Sequence, residues 1–357
     1  MWRRDDDDSV VDQNGRVLYF SPERFEKSIC LGTSCFICGT TRAQAKFNDE
    51  HVVPAWLLRR FELFDRSIQL PNSTEIRYDR YKISCCADCN SRMGRNIETP
   101  IRELLSAGYK AVSAHVAESG GLLLFIWLGL VFLKTHLRDG SLRMLRDRRR
   151  GNDLISSRYD WESLHHLHTV VRSLYSGAGV SAEVRGTLVV LPAKAEDDTD
   201  RFAYVDLYAT QVALLRMDDF ALLTVFNDGG ACSKRLMRVL RGATGPFLPP
   251  QLREILVEAA VGNWHLKSRP QFRSQLDVDR QINQVVAKLP SRWRFNRFDS
   301  AVRGRLMEYV FDDLIRGRNI RGGEDEDRLR QEIREGRTTF LFDKEGKFIT
   351  ESLGLRD

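Results

Sequence analysis

Residues 86–90 read CADCN, and the two cysteines of this pentapeptide have counterparts at 35–39 in CFICG. A two-residue gap lets one tight turn aim both thiolates at a single ion, so two such knuckles are the sequence form of a tetrahedral zinc site. Cys35, Cys38, Cys86 and Cys89 are therefore the expected ligands of one structural Zn2+, with 47 residues between Cys38 and Cys86. Six of the seven cysteines lie between Cys30 and Cys89, a clustering that suits metal rather than a disulfide framework. Cys30 and Cys85 read as packing thiols, although Cys85 could take the place of Cys86.

Such a staple draws the chain between the knuckles back toward Asn90, the residue after the last ligand. That intervening chain carries NDEHVVPAW at 48–56, with Asp49, Glu50 and His51 just before a β-branched pair and a proline. A histidine beside apolar residues is by itself most simply structural. An acid, a histidine and an amide that converge are instead the parts needed to hold a divalent cation beside a general base.

The order C-x-x-C, then Glu50-His51-Val52-Val53-Pro54, then C-x-x-C-Asn90 resembles the zinc-stapled branch of the HNH endonucleases, the ββα-metal or His-Me finger family. The resemblance covers about 75 residues. It implies a histidine on a short hairpin strand, an Asn or His on the following helix, and one divalent ion clamped between them. It makes His51 the general base, Glu50 a metal ligand, and Asn90 the second ligand or its close support, with Asp49 as the alternative acid. The family's central asparagine has no clear match: Tyr81 falls roughly in its place and Asn72 lies further off. Mg2+ or Mn2+ is the implied catalytic ion, and DNA the implied substrate, with RNA the alternative polyanion. Water attack in line would leave a 5′-phosphate and a 3′-hydroxyl. Such modules serve bacterial restriction, phage defence and mobile elements.

Downstream, Asn90, Gly94 and Glu98 fall at i, i+4 and i+8 of a helix expected to end before Thr99. Gly94 would let a phosphate approach, Glu98 would serve as an outer carboxylate or a solvated residue, and Arg92 and Arg95 could hold flanking phosphates.

Composition sets the frame. The chain has 357 residues, 42% of them hydrophobic, and Lys plus Arg outnumber Asp plus Glu by 55 to 49 for a net charge of +6. That balance is compatible with a polyanionic partner and weak evidence for one. No secretory signal opens the chain, and the apolar run from Gly121 to Leu133 falls short of the roughly 20 residues a bilayer needs. It reads as a buried core helix closed by Lys134, in a cytoplasmic protein with no membrane contact. A regulatory protein or a second copy of the chain stands beside DNA as a candidate partner.

The fold class expected is α+β, in four parts. Residues 1–28 form a poorly ordered N-terminal segment, because the four aspartates of MWRRDDDDSV repel one another; GRVLYF within it is a short strand. Residues 29–108 form the HNH module. Residues 109–275 form a mixed helix-and-sheet domain, with helices at 121–133, WESLHHLHTVVRSLYSG and PPQLREILVEAAVGNW, and strands in VRGTLVVLP and FAYVDLYATQVALLRMDDFALLTVFND. Residues 276–357 form a C-terminal helical segment, with helices at QINQVVAKL and AVRGRLMEYVFDDLIRG, a charged linker RGGEDEDRL, and a terminal hairpin turning at Lys344–Gly346. PIRELLSAG reads as a helix with Thr99 as N-cap and Gly108 past its end.

Other candidates carry less. His165, His166 and His168 lack a Cys or acid pair and read as a partly buried helix face, Cys232 has no base nearby, and His265 is structural. The basic connector RMLRDRRRG supplies Arg143 to Arg150 as one cationic cluster, and SRWRFNRFD supplies Arg292, Arg294 and Arg297 alternating with Trp293, Phe295 and Phe298. Inward packing of those aromatics and a contact with the DNA backbone both fit that alternation. The rival to the enzyme is a non-catalytic zinc module that binds nucleic acid or protein, with His51 buried for structure.

Overall fold

The computed structural model describes residues 1–145, 147–195, 201–315 and 326–351. Helices and several antiparallel sheets make it a mixed α+β protein, as expected. Arg146 of the basic connector, the first half of the RGGEDEDRL linker, and Arg316, Arg318 and Arg321 lie outside the described residues. Contacts divide the chain into two units, at places other than the expected boundaries after residues 28, 108 and 275. One unit is Met1–Ser106, Leu122–Val184 and Gln271–Lys288; the other is Ala107–Gly121, Arg185–Pro270 and Leu289–Asp357.

In the first unit the N-terminal segment is ordered, which corrects the expectation for residues 1–28. Strands Arg3–Arg4, Val10–Val11 and Val17–Tyr19 form a three-stranded sheet, and Val10, Leu18, Phe20 and Phe25 are buried. The aspartate run is its turn: Asp5 N–H donates to the Ser9 carbonyl, and Asp8 takes the left-handed conformation at φ 65°. Self-repulsion is offset by arginines, since Arg24 reaches Asp5 at 3.0 Å and Arg4 reaches Asp8 at 3.3 Å.

Helix Leu122–Gly140 runs through this unit, with every residue from Leu124 to Leu137 buried. A helix apolar on all sides belongs inside a core. Among the described residues no single helix is long and apolar enough to cross a membrane.

The expected helix at QINQVVAKL is a strand, Ile282–Lys288, paired antiparallel with Gln271–Asp277 and in parallel with Gly179–Val180. Burial alternates along Ile282 to Val285, the strand period, and β-branched Ile282, Val285 and Val286 favour it.

Helix Glu162–Val171 turns its histidines inward. His166 stacks on Phe272 with ring centroids 3.7 Å apart, and burial together with the His165 charge pushes its pKa down to about 3. His168 is fully buried, its Nε2 bonded to the Phe36 carbonyl at 2.8 Å, and burial holds it well below the usual imidazole range. These residues are structural, as read from the sequence. An unfolded chain takes up a proton at His166 near pH 6.5 while the folded chain resists it, so this stability is complete above about pH 6.5 and drains as the pH falls toward about 3. About 2 kcal/mol should be lost through His166 between pH 6.5 and 5. Urea midpoints at the two pH values test this: His166→Phe should show a drop smaller by that amount, and an equal drop in both proteins would contradict it.

In the second unit strands run in the order Phe202–Leu207, Val212–Met217, Phe220–Val225, Thr187–Pro192, all antiparallel. Alternate residues Val212, Leu214, Leu223 and Val225 share a core with Leu252, Ile255 and Leu256 of helix Pro249–Trp264. Helix Ser300–Ile315 docks there through Arg303, which reaches Glu254 at 2.7 Å and Glu258 at 2.6 Å inside the protein. The terminal hairpin turns as expected, with Phe342 bridged to Phe348 and Gly346 at φ 78°.

Candidate functional site

The site is built from two short strands, paired across an intervening helix and strand pair, and from the helix that follows the second. Glu50–His51 and Lys82–Ile83 pair antiparallel, with Glu50 opposite Ile83 and His51 opposite Lys82. Phe47 bridges Cys86 further along, and Val52 N–H donates to the Tyr81 carbonyl at 3.0 Å. Cys86 then caps helix Ala87–Met93, its sulfur accepting from the Cys89 N–H at 3.5 Å. Helix Ala55–Arg60 and the paired strands Ser67–Gln69 and Glu75–Arg77 lie between the two strands, so ladder bonds join segments remote in sequence and a cysteine cap starts the helix after them.

Four sulfurs meet at that cap. The Sγ atoms of Cys35, Cys38, Cys86 and Cys89 all lie within 4.8 Å of one another, with Cys38 and Cys86 at 3.7 Å. A tetrahedron with metal–sulfur bonds of about 2.3 Å has edges of about 3.8 Å, so the four thiols fit around one ion. Their electrostatics agree: thiol hydrogen bonds from Cys38, Cys85 and Cys89 hold Cys35 far below the usual thiol range, and the bond to Cys35 pushes Cys38 up to about 12. Sulfurs this close cannot all ionise unless a cation lies among them. Cys85 is buried 3.9 Å from Cys35 and outside the quartet, so Cys86 rather than Cys85 completes the set.

The first knuckle is held by two residues that sequence reading did not assign to it. His168 meets the Phe36 carbonyl, and buried Arg172 donates from Nε to the Ile37 carbonyl at 2.5 Å and from Nη2 to the Val17 carbonyl at 2.8 Å. Arg172 also covers the Phe20 ring at 4.4 Å. The bonds to Phe36 and Ile37 satisfy backbone carbonyls between the two ligands, which fixes the aim of both sulfurs.

Around Glu50 the arrangement differs from the expected one. Glu50 is 8% exposed and accepts from Lys134 Nζ at 3.1 Å; the same ammonium donates to the His51 carbonyl at 2.8 Å. Glu98 lies near enough to this group for both charges to act on it. Burial pushes its pKa up to about 7, against the pull of Lys134 and with the push of Glu50.

His51 is partly buried, edge-on to Phe64 with centroids 6.0 Å apart. Burial, then the Lys82 charge, lowers its pKa, which keeps the imidazole neutral near pH 7. Asn90 meets Asn48 rather than Glu50, its Nδ2 donating to the Asn48 Oδ1 at 3.1 Å. Asp49 faces outward in the left-handed conformation at φ 41° and pairs with Arg42 at 2.7 Å, so Glu50, not Asp49, is the inward acid. Neither stand-in for the central asparagine is free for chemistry. Tyr81 donates to Asp139 at 2.7 Å, and Asn72 closes a turn on Thr74 while its Nδ2 holds the Arg143 carbonyl at 2.9 Å.

Helix Ala87–Met93 does not end before Thr99. It widens to a π-turn over Gly94–Glu98 and runs into helix Thr99–Ser106, with the Thr99 hydroxyl donating back to the Gly94 carbonyl at 2.9 Å. Thr99 is thus inside a helix and not an N-cap, and the widened turn shifts Glu98 off the simple i+8 position. A side chain at Gly94 would meet nothing within 4 Å, so its surface is open. Arg92 pairs with Asp88 at 3.1 Å, whereas Arg95 is exposed. Among the described residues, the four cysteines are the only group of three or more His, Cys, Asp or Glu side chains close enough to share a metal ion. No protein-family model, curated protein or solved structure matches the chain.

Proposed function

We propose that this chain is an HNH-type endonuclease that hydrolyses DNA phosphodiester bonds with a divalent metal ion, on a module stapled by one zinc ion. A role in restriction, phage defence or a mobile element accompanies that reading. The observation that carries it is the placement of Glu50 and His51 on a strand paired with Lys82–Ile83, which leads directly into the helix bearing Cys89 and Asn90. Zinc is assigned to Cys35, Cys38, Cys86 and Cys89 because thiolates are soft donors and the sulfur spacing is that of a closed tetrahedron.

His51 is suited to take the proton of an attacking water, because its lowered pKa leaves the imidazole neutral at working pH. Glu50, Glu98 and the Asn90 amide offer the hard oxygen donors that Mg2+ or Mn2+ prefers, and a cation bound beside Glu98 would pull its raised pKa back down. Bound there, the ion would supply positive charge against the phosphate. Lys134 holds the Glu50 carboxylate and the His51 carbonyl, and so fixes both residues on their strand.

That same ion pair favours a second reading, in which Glu50 and His51 are structural parts of a zinc module that only binds. Supercoiled plasmid separates the two. The protein should convert it to nicked or linear product when Mg2+ or Mn2+ is added, with 5′-phosphate ends, and should leave it intact without added ion. Intact plasmid under every metal, from protein that carries its zinc, would favour the binding module.

A further inference from the structure

The second unit displays aromatic side chains where solvent would ordinarily exclude them. Trp264 is 54% exposed, Phe298 46% and Phe295 37%, and all three belong to one local construction. Trp264 is the last residue of helix Pro249–Trp264, and the chain beyond it pairs with segment 292–298: Leu266 bridges Phe295, Lys267 N–H donates to the Arg294 carbonyl at 2.8 Å, and Asn296 N–H donates to the His265 carbonyl at 2.7 Å. The Phe298 ring lies against His265 at 6.1 Å, 27° from parallel, and the Arg235 guanidinium sits 5.6 Å from its centroid. Arg235 is itself held by Glu258 at 3.1 Å. The Phe298 ring is therefore held at the surface, and backbone pairing holds the chain that carries Trp264 and Phe295 beside it.

Charge follows the same segment. Arg292, Arg294 and Arg297 are exposed, and among the described residues none of them forms an ion pair. Some surface arginines elsewhere are held by acids, as Arg77 is by Asp65 and Arg334 by Glu308; these three are not, and they stand among exposed rings. Unpaired arginines between exposed rings ask for a ligand with regularly spaced negative charge and flat apolar faces. Duplex DNA offers the charge but keeps its base faces stacked, so it makes no use of the rings. An acidic protein offers carboxylates but no ring for each aromatic. An unpaired nucleic-acid strand offers one phosphate and one open base face per nucleotide.

We propose that Trp264, Phe295 and Phe298, with Arg292, Arg294 and Arg297, form a binding site for single-stranded nucleic acid. Bases stack on the three rings and phosphates lie along the arginines. This goes beyond the hydrolytic reading and stands on different residues, so it holds or fails without it.

The test is fluorescence anisotropy with the full chain and no added divalent ion, which keeps hydrolysis out of the measurement. The probes are a labelled oligo(dT) of about 20 nucleotides, a duplex of the same length, and polyglutamate as competitor. Oligo(dT) should bind at least ten-fold tighter than duplex. Trp264→Ala and Phe298→Ala should each weaken it by roughly 5- to 100-fold with no change in its salt dependence, and Trp264→Phe should restore most of the loss. Replacing Arg292, Arg294 and Arg297 by Gln should flatten the slope of log affinity against log salt by about 2. Exposed side chains are replaced in each case, and unchanged circular-dichroism melts show that the variants are folded. Equal binding of duplex and oligo(dT), no effect of the ring substitutions, or displacement by polyglutamate at matched charge would each overturn the proposal.

Discussion

Cys38→Ser is expected to cost the protein its zinc and the fold of the segment between the knuckles. Cys38 is the quartet's partly exposed member, so a serine there adds little strain of its own. What it removes is one of four thiolates from a closed tetrahedron, and the remaining three hold the ion far less tightly. Binding to a complete site contributes on the order of 10 kcal/mol to the folding of small zinc modules, comparable to the whole stability of a domain. Metal analysis should fall from one zinc per chain to a small fraction of that, and proteolysis should open the chain between Cys35 and Cys89. Cys30→Ser and Cys85→Ser, which change buried thiols outside the quartet, should keep their zinc. Metal-free Cys38→Ser protein with an unaltered melt would show that the sulfurs cluster for packing alone.

The four-cysteine cluster was legible because its members come in pairs two residues apart, so local spacing states the geometry. The sequence also marked out Glu50-His51 and the CxxC-Asn90 run as short, contiguous motifs, and each stands on one local element, a strand and a helix. What surrounds them was not. Lys134 reads as the charge that closes an apolar helix, yet it lies within helix Leu122–Gly140 and is 2% exposed. Its partner Glu50 is 84 positions away in sequence, and no periodicity links the two. His168 and Arg172 serve backbone carbonyls, which leave no mark on the sequence of the loop they hold. The N-terminal sheet was missed because a run of like charges was weighed without Arg24, which neutralises it from 19 residues further on. The Ile282–Lys288 strand was missed because Ile282, Val285, Val286 and Leu289 also fall at the helix spacing, and pairing with Gln271–Asp277 and, more than a hundred residues earlier, Gly179–Val180 decides against it. Local propensity is a weak prior when pairing is that remote.

His51→Ala and Lys134→Met should separate chemistry from structure in opposite directions. His51 is partly buried and its ring makes one edge contact, with Phe64, so alanine there should move the melting temperature little. If His51 is the general base, the hydrolysis rate should fall by roughly 10²- to 10⁴-fold with binding of DNA unchanged, since a base acts on the transition state more than on the ground state. Lys134→Met instead strands Glu50: a carboxylate 8% exposed loses its cation, and breaking a buried pair from one side costs about 3 to 5 kcal/mol. Adding Glu50→Gln to Lys134→Met removes the stranded charge and should recover a large part of that stability. It should not recover hydrolysis, because the acid that would hold the divalent ion is gone. A Lys134→Met, Glu50→Gln protein that is stable and still cuts would remove Glu50 from the chemistry and leave His51 without its metal partner. If His51→Ala is the variant that melts and Lys134→Met the one that does not, the histidine is part of the core and the strand pair is a scaffold for binding.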